Sequence, residues 1–114
     1  MRIRPEDLPR ELERAPHWAG ALISGDEPYL ILELGDQIRN YLRHQEFYER
    51  EVIEVDGHFN WEAFITSTLT LSLFSTRKLV ELRFKNRPDQ NAQKELLNYF
   101  TSPIEDLFIL VTTP

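Results

Sequence analysis

The first residues of this chain that suggest chemistry form the turn Gly25-Asp26-Glu27-Pro28, which directly follows an apolar run of strand length. Such a turn holds a nucleoside triphosphate when it reads G-x-x-x-x-G-K-[ST], because the lysine meets the phosphates and the hydroxyl meets magnesium. Here neither group is in place, and the two carboxylates would repel a triphosphate. The acids and the proline instead suit the first turn of a helix, at the positive end of its dipole. We therefore interpret this segment as a tight strand-to-helix turn and expect no nucleotide cofactor.

The other polar side chains give no pattern that is typical of a metal or catalytic site. The histidines are far apart in the sequence: His17, His44 and His58. They lack the spacing of metal ligands, and no Ser-His-Asp grouping is evident. Three acids near the second predicted strand fit a solvated strand face: Glu51, Glu54 and Asp56. We accordingly expect no catalytic residue, no metal and no cofactor, and we predict a domain that is not an enzyme.

Five of the thirteen basic residues fall within eleven positions: Arg77, Lys78, Arg83, Lys85 and Arg87. Such a cluster can contact phosphates, but Phe84 is the only aromatic residue in the stretch that could stack on a base. The formal net charge of −6 also argues against nucleic-acid binding by the domain as a whole. We favour a solvated strand rim or a contact to an acidic protein surface, and a nucleic-acid-binding module using residues 77–87 stays open as an alternative.

Composition limits the class of protein further. A length of 114 residues suits one domain, and 41% hydrophobic residues can supply its core. The chain has no cysteine, which excludes disulfides, thiolate nucleophiles and cysteine zinc sites. No apolar run approaches the ~20 residues needed to span a membrane, and the first residues lack the apolar region of a secretory signal. We expect a cytoplasmic protein.

Hydrophobic periodicity predicts the elements that position these side chains. Helices are predicted over 5–15 and 28–44, and Asn60 and Asp89 are expected to cap two more. The last of these helices is predicted to pack through Ala92, Leu96, Leu97 and Phe100. Strands are predicted within 18–25, 48–57, 77–84 and 107–113. Strands that alternate with helices imply right-handed crossovers. We therefore predict a three-layer α/β domain with a parallel sheet.

Residues 68–82, "TLTLSLFSTRKLVEL", contain an unexpected apolar pair. Leu73 and Phe74 lie between a predicted helix end and a predicted strand, where turn residues are normally found. The preceding segment "TSTLT" is rich in β-branched residues, so we expect the helix to fray early there. From these residues alone, the pair could belong to the core or to a contact surface.

Three segments resemble a known family: "GDEPYLILE" after the first strand, "NWEAFITSTLTLSLFSTRKLVELR" in the middle and "DLFILV" near the end. In order and spacing they are similar to the N-terminal domain of the delta subunit of bacterial DNA polymerase III, over essentially all of residues 1–114. The resemblance implies an AAA+ module of the P-loop type, degenerate because the nucleotide site is lost. It also implies that the sheet of the module is truncated here to about four strands, with flanking helices. We expect 1–114 to be a single N-terminal AAA+-like domain and a fragment of a longer delta subunit.

The resemblance also implies a role for the apolar pair. It places Leu73 and Phe74, with Leu71 as a third contact, in a hydrophobic wedge that binds the sliding clamp and helps to open the ring for loading onto DNA. We refer to these three residues as the wedge. Arg77 and Lys78 would steer the wedge toward an acidic clamp surface.

The same resemblance implies the partners. These are the beta sliding clamp, the gamma/tau and delta prime subunits of the clamp loader in the full-length protein, DNA only indirectly, and no membrane. In this family the delta subunit itself hydrolyses nothing, while the motor subunits use ATP to expose or hide the wedge. A nucleotide-binding AAA+ ATPase domain stays open as an alternative function.

Overall fold

A single four-stranded sheet forms the centre of the molecule. The computed structural model describes residues 4–14, 19–72, 77–104 and 106–114, with the side chains of all of these except 14 and 68–72. The strands are β1 (Gly20–Ser24), β2 (Glu49–Val55), β3 (Lys78–Phe84) and β4 (Leu107–Thr113). They are arranged in the order β1-β4-β3-β2, and all three neighbouring pairs are parallel. The predicted parallel α/β architecture is therefore confirmed.

Four helices connect and cover these strands. They are α1 (Leu8–Arg14), which follows a short 3-10 turn at Pro5–Asp7, α2 (Pro28–His44), α3 (Trp61–Ser72) and α4 (Gln90–Thr101). Each predicted helix and strand is present, in the predicted order. None of the helices in the described part of the chain combines the length and the apolar character that a membrane crossing requires.

The helices lie on both faces of the sheet, and each face has its own hydrophobic core. On the first face, α1 and α2 cover every second side chain of the strands. The buried residues of this first core are Leu8, Leu12, Ile23, Ile38, Leu42, Leu79, Phe108 and Leu110. On the second face, residues of α3 and α4 pack against the alternate side chains of the strands. The buried residues of this second core are Val55, Val80, Leu82, Leu107, Ile109 and Val111. β4 contributes to both cores, as its continuous apolar sequence predicts for a central parallel strand.

The structure corrects the predicted apolar face of α4. Leu97 is 68% exposed and Phe100 is also exposed, whereas Ala92 is buried and Leu96 and Tyr99 pack against the second core. These three residues follow a spacing of four and then three, which places them on one side of a helix. The tyrosine was missed because its hydroxyl needs a polar partner, which the sequence does not reveal. That hydroxyl lies 2.9 Å from the carbonyl oxygen of Ala19 and 2.8 Å from that of Leu107, which share its proton.

The end of α3 also differs from the prediction. The helix does not stop early at its β-branched segment but continues to Ser72. Once a helix has been nucleated, each further residue adds a backbone hydrogen bond for little additional cost, and this outweighs the weak propensity of threonine.

Candidate functional site

Helix α3 ends at Ser72, directly before Leu73 of the predicted wedge in the sequence, and its first turn is anchored by aromatic side chains. At its first turn, Trp61 stacks on Phe84 of β3, with ring centroids 6.5 Å apart and planes at 26°. The rings of Phe59 and Trp61 pack edge to face with their centroids 4.8 Å apart. The rings of Phe64 and Trp61 also pack edge to face, with their centroids 6.0 Å apart. These aromatic side chains fix the start of α3 to the carboxyl end of β3.

A polar cap defines where α3 begins. The Asn60 side-chain oxygen accepts a hydrogen bond of 3.0 Å from the amide of Ala63, and the Asn60 carbonyl accepts one of 3.2 Å from the amide of Phe64. The predicted capping role of Asn60 is therefore confirmed. The cap and the aromatic anchor fix the same end of the helix.

From this anchor α3 runs for twelve residues, which corresponds to about 17 Å at 1.5 Å per residue. β3 begins at Lys78, and its amino end lies at the amino edge of the sheet. The backbone of Leu71 is helical, but its side chain lies outside the described residues. Leu73 and Phe74 also lie outside the described residues. Their assignment to a clamp-binding wedge stays a prediction.

Arg77, the first described residue after the wedge segment, binds three parts of the amino edge. Its Nε lies 3.2 Å from a carboxylate oxygen of Asp106, and an Nη donates to the carbonyl of Gln45. Its guanidinium also lies 3.7 Å from the Glu46 carboxylate and 5.8 Å from the ring centre of Phe47. Glu46 and Asp106 both have positive φ, at 72° and 65°. Arg77 thus links the left-handed turns that precede β2 and β4.

The basic stretch does not form one patch. Lys78 pairs with Glu51 on the neighbouring strand at 2.6 Å, and Arg83 lies 3.4 Å from Glu81. Lys85 and Arg87 follow β3 at the opposite, carboxyl edge, and within the described residues neither has an ion-pair partner. Because a strand rises about 3.3 Å per residue, the two ends of this stretch are separated by more than about 20 Å. Arg77 and Lys78, which we expected to steer the wedge, are both neutralised by acids in this structure.

The turn after β1 has the geometry expected of a structural turn. Gly25 adopts a φ of 156°, and its amide donates to the carbonyl of Thr113 at 3.1 Å. Glu27 caps α2, since its carboxylate accepts a hydrogen bond of 3.1 Å from the amide of Tyr29, and Pro28 occupies the first helical position. The first backbone donors of α2 are therefore capped by an acid, in agreement with the interpretation from the sequence.

A small cavity lies at the carboxyl edge of the sheet. It has a volume of about 190 Å³ and opens beside β2 and β3, between Trp61, Phe84, Arg87 and Asp89. Its volume is below the roughly 300–1,000 Å³ that is typical of small-molecule sites. Asp89 already caps α4 by accepting a hydrogen bond of 2.8 Å from the amide of Ala92.

The candidate acids and histidines of the sequence are dispersed. Asp56 accepts a hydrogen bond of 2.8 Å from the amide of His58 within an exposed turn. His44 lies at the end of α2, with its Nδ1 2.8 Å from the carbonyl oxygen of Asn40. His17 lies outside the described residues. Among the described residues, no group of three or more acids and histidines is placed to hold a metal ion.

A buried ion cluster on the first face was missed from the sequence. Glu81, in the middle of β3, is 1% exposed. Its carboxylate accepts hydrogen bonds from Arg39 of α2 at 2.9 Å, from Arg50 of β2, and from Arg83 at 3.4 Å. The cluster joins α2 to the β2–β3 half of the sheet. The sequence does contain a signal for this cluster, which is the acid between Val80 and Leu82. A charge within an apolar strand predicts a buried partner of opposite charge.

Comparison with known proteins gives the family. A family model described as DNA polymerase III, delta subunit, matches residues 22–114. The chain is 29% identical over 112 residues to DNA polymerase III subunit delta of Escherichia coli (strain K12). The aligned residues cover 97% of this chain and 32% of the relative. It is 26% identical over 110 residues to DNA polymerase III subunit delta of Haemophilus influenzae, with 96% and 32% covered. The chain spans about a third of the length of these curated relatives. It belongs to the DNA polymerase III delta subunit family.

Proposed function

We propose that residues 1–114 form an N-terminal AAA+-like domain of a delta subunit that works as a clamp-loader component in the cytoplasm. In this proposal the domain binds the beta sliding clamp through the wedge and helps to open the ring. The gamma/tau and delta prime subunits would assemble with the full-length protein. Membership of the delta subunit family is the observation that carries the proposal.

The described elements on either side of residues 73–76 support this role. They are α3, whose first turn is anchored, and the start of β3, which is held by Arg77. The aromatic anchor around Trp61 fixes the direction of α3. Arg77 fixes the start of β3 through Asp106 and Gln45. A contact loop on such a support loses less freedom when it binds, which favours affinity.

The apolar character of the wedge residues also supports the proposed binding to the clamp. Burying a leucine or phenylalanine side chain in a pocket contributes roughly 1.5–3 kcal/mol before ordering costs. Two such residues next to each other in the sequence are on the scale of a protein–protein hot spot. The acids of the GDEP turn disfavour a nucleotide, and the ion pairs of Arg77 and Lys78 disfavour a nucleic acid, so a protein partner is favoured.

The proposal gives this domain no catalytic step. In P-loop enzymes a lysine and a hydroxyl follow the glycine turn, whereas here Gly25 is followed by Asp26, Glu27 and Pro28. A thermal shift on addition of ATP and magnesium tests the alternative of a nucleotide-binding ATPase. We expect no change in Tm, and a reproducible rise would support that alternative.

The test of the proposed function is binding of the chain to the beta sliding clamp of the same organism, measured by titration calorimetry. We expect wild type to bind and the Leu73→Ala/Phe74→Ala variant to lose at least about a hundredfold in affinity, because two buried anchors are removed. Leu71→Ala should weaken binding less than the double variant does, since it removes one contact.

The matched control is Tyr29→Ala/Leu32→Ala, which also truncates one aromatic residue and one leucine. Both residues are exposed on α2 and belong to a different element from α3 and β3. This control should bind as wild type does. Circular dichroism must show that the wedge variant stays folded. Loss of folding in that variant would place the pair in the core, and equal binding by wild type and the wedge variant would place the clamp contact elsewhere.

A further inference from the structure

One side chain ties the aromatic group at the start of α3 to the sheet by ring stacking. The rings of Phe59, Trp61 and Phe64 contact one another, with centroids 4.8 to 6.0 Å apart. Among the ring contacts of the described residues, that of Trp61 with Phe84 is the one that joins this group to a strand. Phe84 is the last residue of β3, where it pairs with Val55 of β2, so the sheet holds it in place.

The described core contacts of α3 are confined to its first turn. The side chains of this helix are described as far as residue 67, and of these Trp61 and Phe64 pack against the second core. The other side chains in this part of the helix are exposed. The direction in which α3 leaves the sheet is therefore set, in the part that the structure describes, by two neighbouring rings.

The length of α3 amplifies any change at this turn. Leu71 of the wedge belongs to the helix, ten residues after Trp61, which is about 15 Å along the axis. A tilt of about 10° at the first turn moves the backbone of Leu71 by about 2.6 Å over that length. Binding groups have to be held within about 0.5 Å of their productive geometry. A small loss of packing at Trp61 is therefore a large displacement at Leu71.

We infer that Trp61 is a positioning residue for clamp binding, because it sets the direction of α3 and thereby the presentation of the wedge. The inference rests on the proposed function, since it takes the wedge as the contact. Trp61 itself touches Phe84 at the carboxyl end of β3, about 15 Å along the helix from Leu71. It acts on the fraction of molecules whose wedge is oriented for binding, and the apparent dissociation constant rises as that fraction falls.

This role predicts a kinetic signature that a direct contact does not have. A variant that misorients α3 lowers the fraction of binding-competent molecules, so it slows association in proportion and leaves dissociation of the formed complex unchanged. Loss of a direct contact acts mainly on the dissociation rate, as most interface substitutions do. The Leu73→Ala/Phe74→Ala variant should therefore dissociate faster than wild type.

Surface plasmon resonance on the beta sliding clamp of the same organism measures both rates. Trp61→Leu keeps an apolar side chain in the second core but cannot stack on Phe84. If it lowers the oriented fraction to about a tenth, association slows about tenfold, and dissociation should stay within about twofold of wild type. Trp61→Phe keeps a ring and should restore most of the association rate. Phe84→Leu removes the same stacking from the strand side and should give the same signature, which keeps the test open if Trp61→Leu does not fold.

The matched control is Tyr99→Phe, which weakens the same core from α4. Tyr99 packs against the second core, and its ring contact among the described residues is with Phe100 rather than with a ring of α3. This variant should bind the clamp with the rates of wild type. Equal slowing of association in Tyr99→Phe and Trp61→Leu would show a general effect of lower stability and would overturn the inference.

Distances between spin labels test the direction of α3 without the clamp. The chain has no cysteine, so Ser67→Cys on α3 and Asn40→Cys on α2 can be labelled selectively, and both positions are exposed. Wild type and Tyr99→Phe should give one narrow distance distribution, and Trp61→Leu a broader or shifted one. An unchanged distribution in Trp61→Leu overturns the inference, whether or not the chain binds the clamp.

The inference and the proposed function fail in different ways. A wild type that does not bind the clamp, or a wedge variant that binds equally well, refutes the proposed function. Clamp binding that is lost in the wedge variant but has unchanged association in Trp61→Leu refutes the role of Trp61 alone. Faster dissociation of Trp61→Leu with unchanged association would make Trp61 a direct contact and would also overturn the inference.

Discussion

Replacement of Arg77 by alanine removes the side chain that joins three segments at the amino edge of the sheet. The guanidinium donates to the Gln45 carbonyl, pairs with Asp106 at 3.2 Å and lies 5.8 Å from the ring centre of Phe47. Without it, the left-handed turns at Glu46 and Asp106 lose their common partner. We therefore expect Arg77→Ala to lower the free energy of unfolding, even though the arginine is 42% exposed.

The size of this effect follows from the individual contacts. The charged hydrogen bond to a backbone carbonyl contributes about 1 kcal/mol at a half-exposed position. The ion pair with Asp106 contributes about 0.5 kcal/mol, because solvent screens it. The contact with the Phe47 ring contributes about 0.5 kcal/mol. Arg77→Ala should thus destabilise the fold by about 2 kcal/mol. Arg77→Lys should lose about half as much, because lysine keeps the charge but not the planar fork.

Urea denaturation monitored by circular dichroism measures these free energies. Arg87→Ala is the control, because this arginine lies at the carboxyl edge and within the described residues has no ion-pair partner. It should stay within about 0.5 kcal/mol of wild type, as ordinary surface substitutions do. If Arg77→Ala also stays within that range, the three contacts do not hold the amino edge together. Equal stability of Arg77→Lys and wild type would refute the part of the argument that rests on the guanidinium fork.

Three further predictions concern the interior. Tyr99→Phe should lower the free energy of unfolding by about 1–2 kcal/mol in thermal or urea denaturation, because the Ala19 and Leu107 carbonyls lose their donor. Burial raises the pKa of Tyr99 above its usual 10.0, so the folded state keeps a proton that the unfolded chain loses at high pH. Wild type should therefore lose about 1 kcal/mol of stability per pH unit above pH 10 that Tyr99→Phe does not lose, and parallel pH profiles would contradict this. Glu81→Ala should cost about 2 kcal/mol in urea denaturation, because the largely buried Arg39 loses one of its two carboxylate partners and keeps only Asp36, and a stability equal to that of wild type would show that the arginines turn to solvent freely. Gly20→Ala should lower Tm, since the added Cβ would lie 2.4 Å from the Ile109 carbonyl oxygen and 2.5 Å from the Phe100 ring, and an unchanged Tm would mean that β1 moves without cost.

Local signals predicted the elements well where the apolar pattern was long and the caps were strong. The helix predicted over 28–44 is α2 (Pro28–His44), with Glu27 and Pro28 at its start. The strand predicted over 107–113 is β4 (Leu107–Thr113), because its unbroken apolar run suits a strand that is buried on both faces. Asn60 and Asp89 cap their helices as expected.

Features that depend on distant residues could not be predicted in the same way. The inward position of Tyr99 requires carbonyls that are 80 and 8 residues away in the chain. Buried Glu81 requires Arg39 and Arg50, which are 42 and 31 residues away. The pairing of Lys78 with Glu51 requires the register of β3 against β2. Periodicity indicates which side of an element is apolar, but it does not indicate which polar groups meet once the elements pack.

The candidate site also combines features that the sequence predicted with features that only the folded structure shows. Leu71, Leu73 and Phe74 were identified through a family resemblance, because an apolar pair in a connection does not by itself distinguish core from contact. The structure adds the supports of the segment, which are the aromatic anchor around Trp61 and the corner around Arg77. Neither support was predicted, since each combines residues from three separate elements.

The place of β4 in the sheet has a consequence for synthesis of the chain on the ribosome. Among the described strands β4 comes last in chain order, yet it lies between β1 and β3, and its residue Ile109 pairs with Gly20, 89 residues earlier. Until β4 has left the exit tunnel, the nascent chain presents β1 and one side of β3 as unpaired edges. Such edges are open to aggregation, and chaperones protect nascent chains at this stage. A pause in translation before β4 would prolong this exposed state, whereas a pause after β4 would allow β1 and β3 to pair with it.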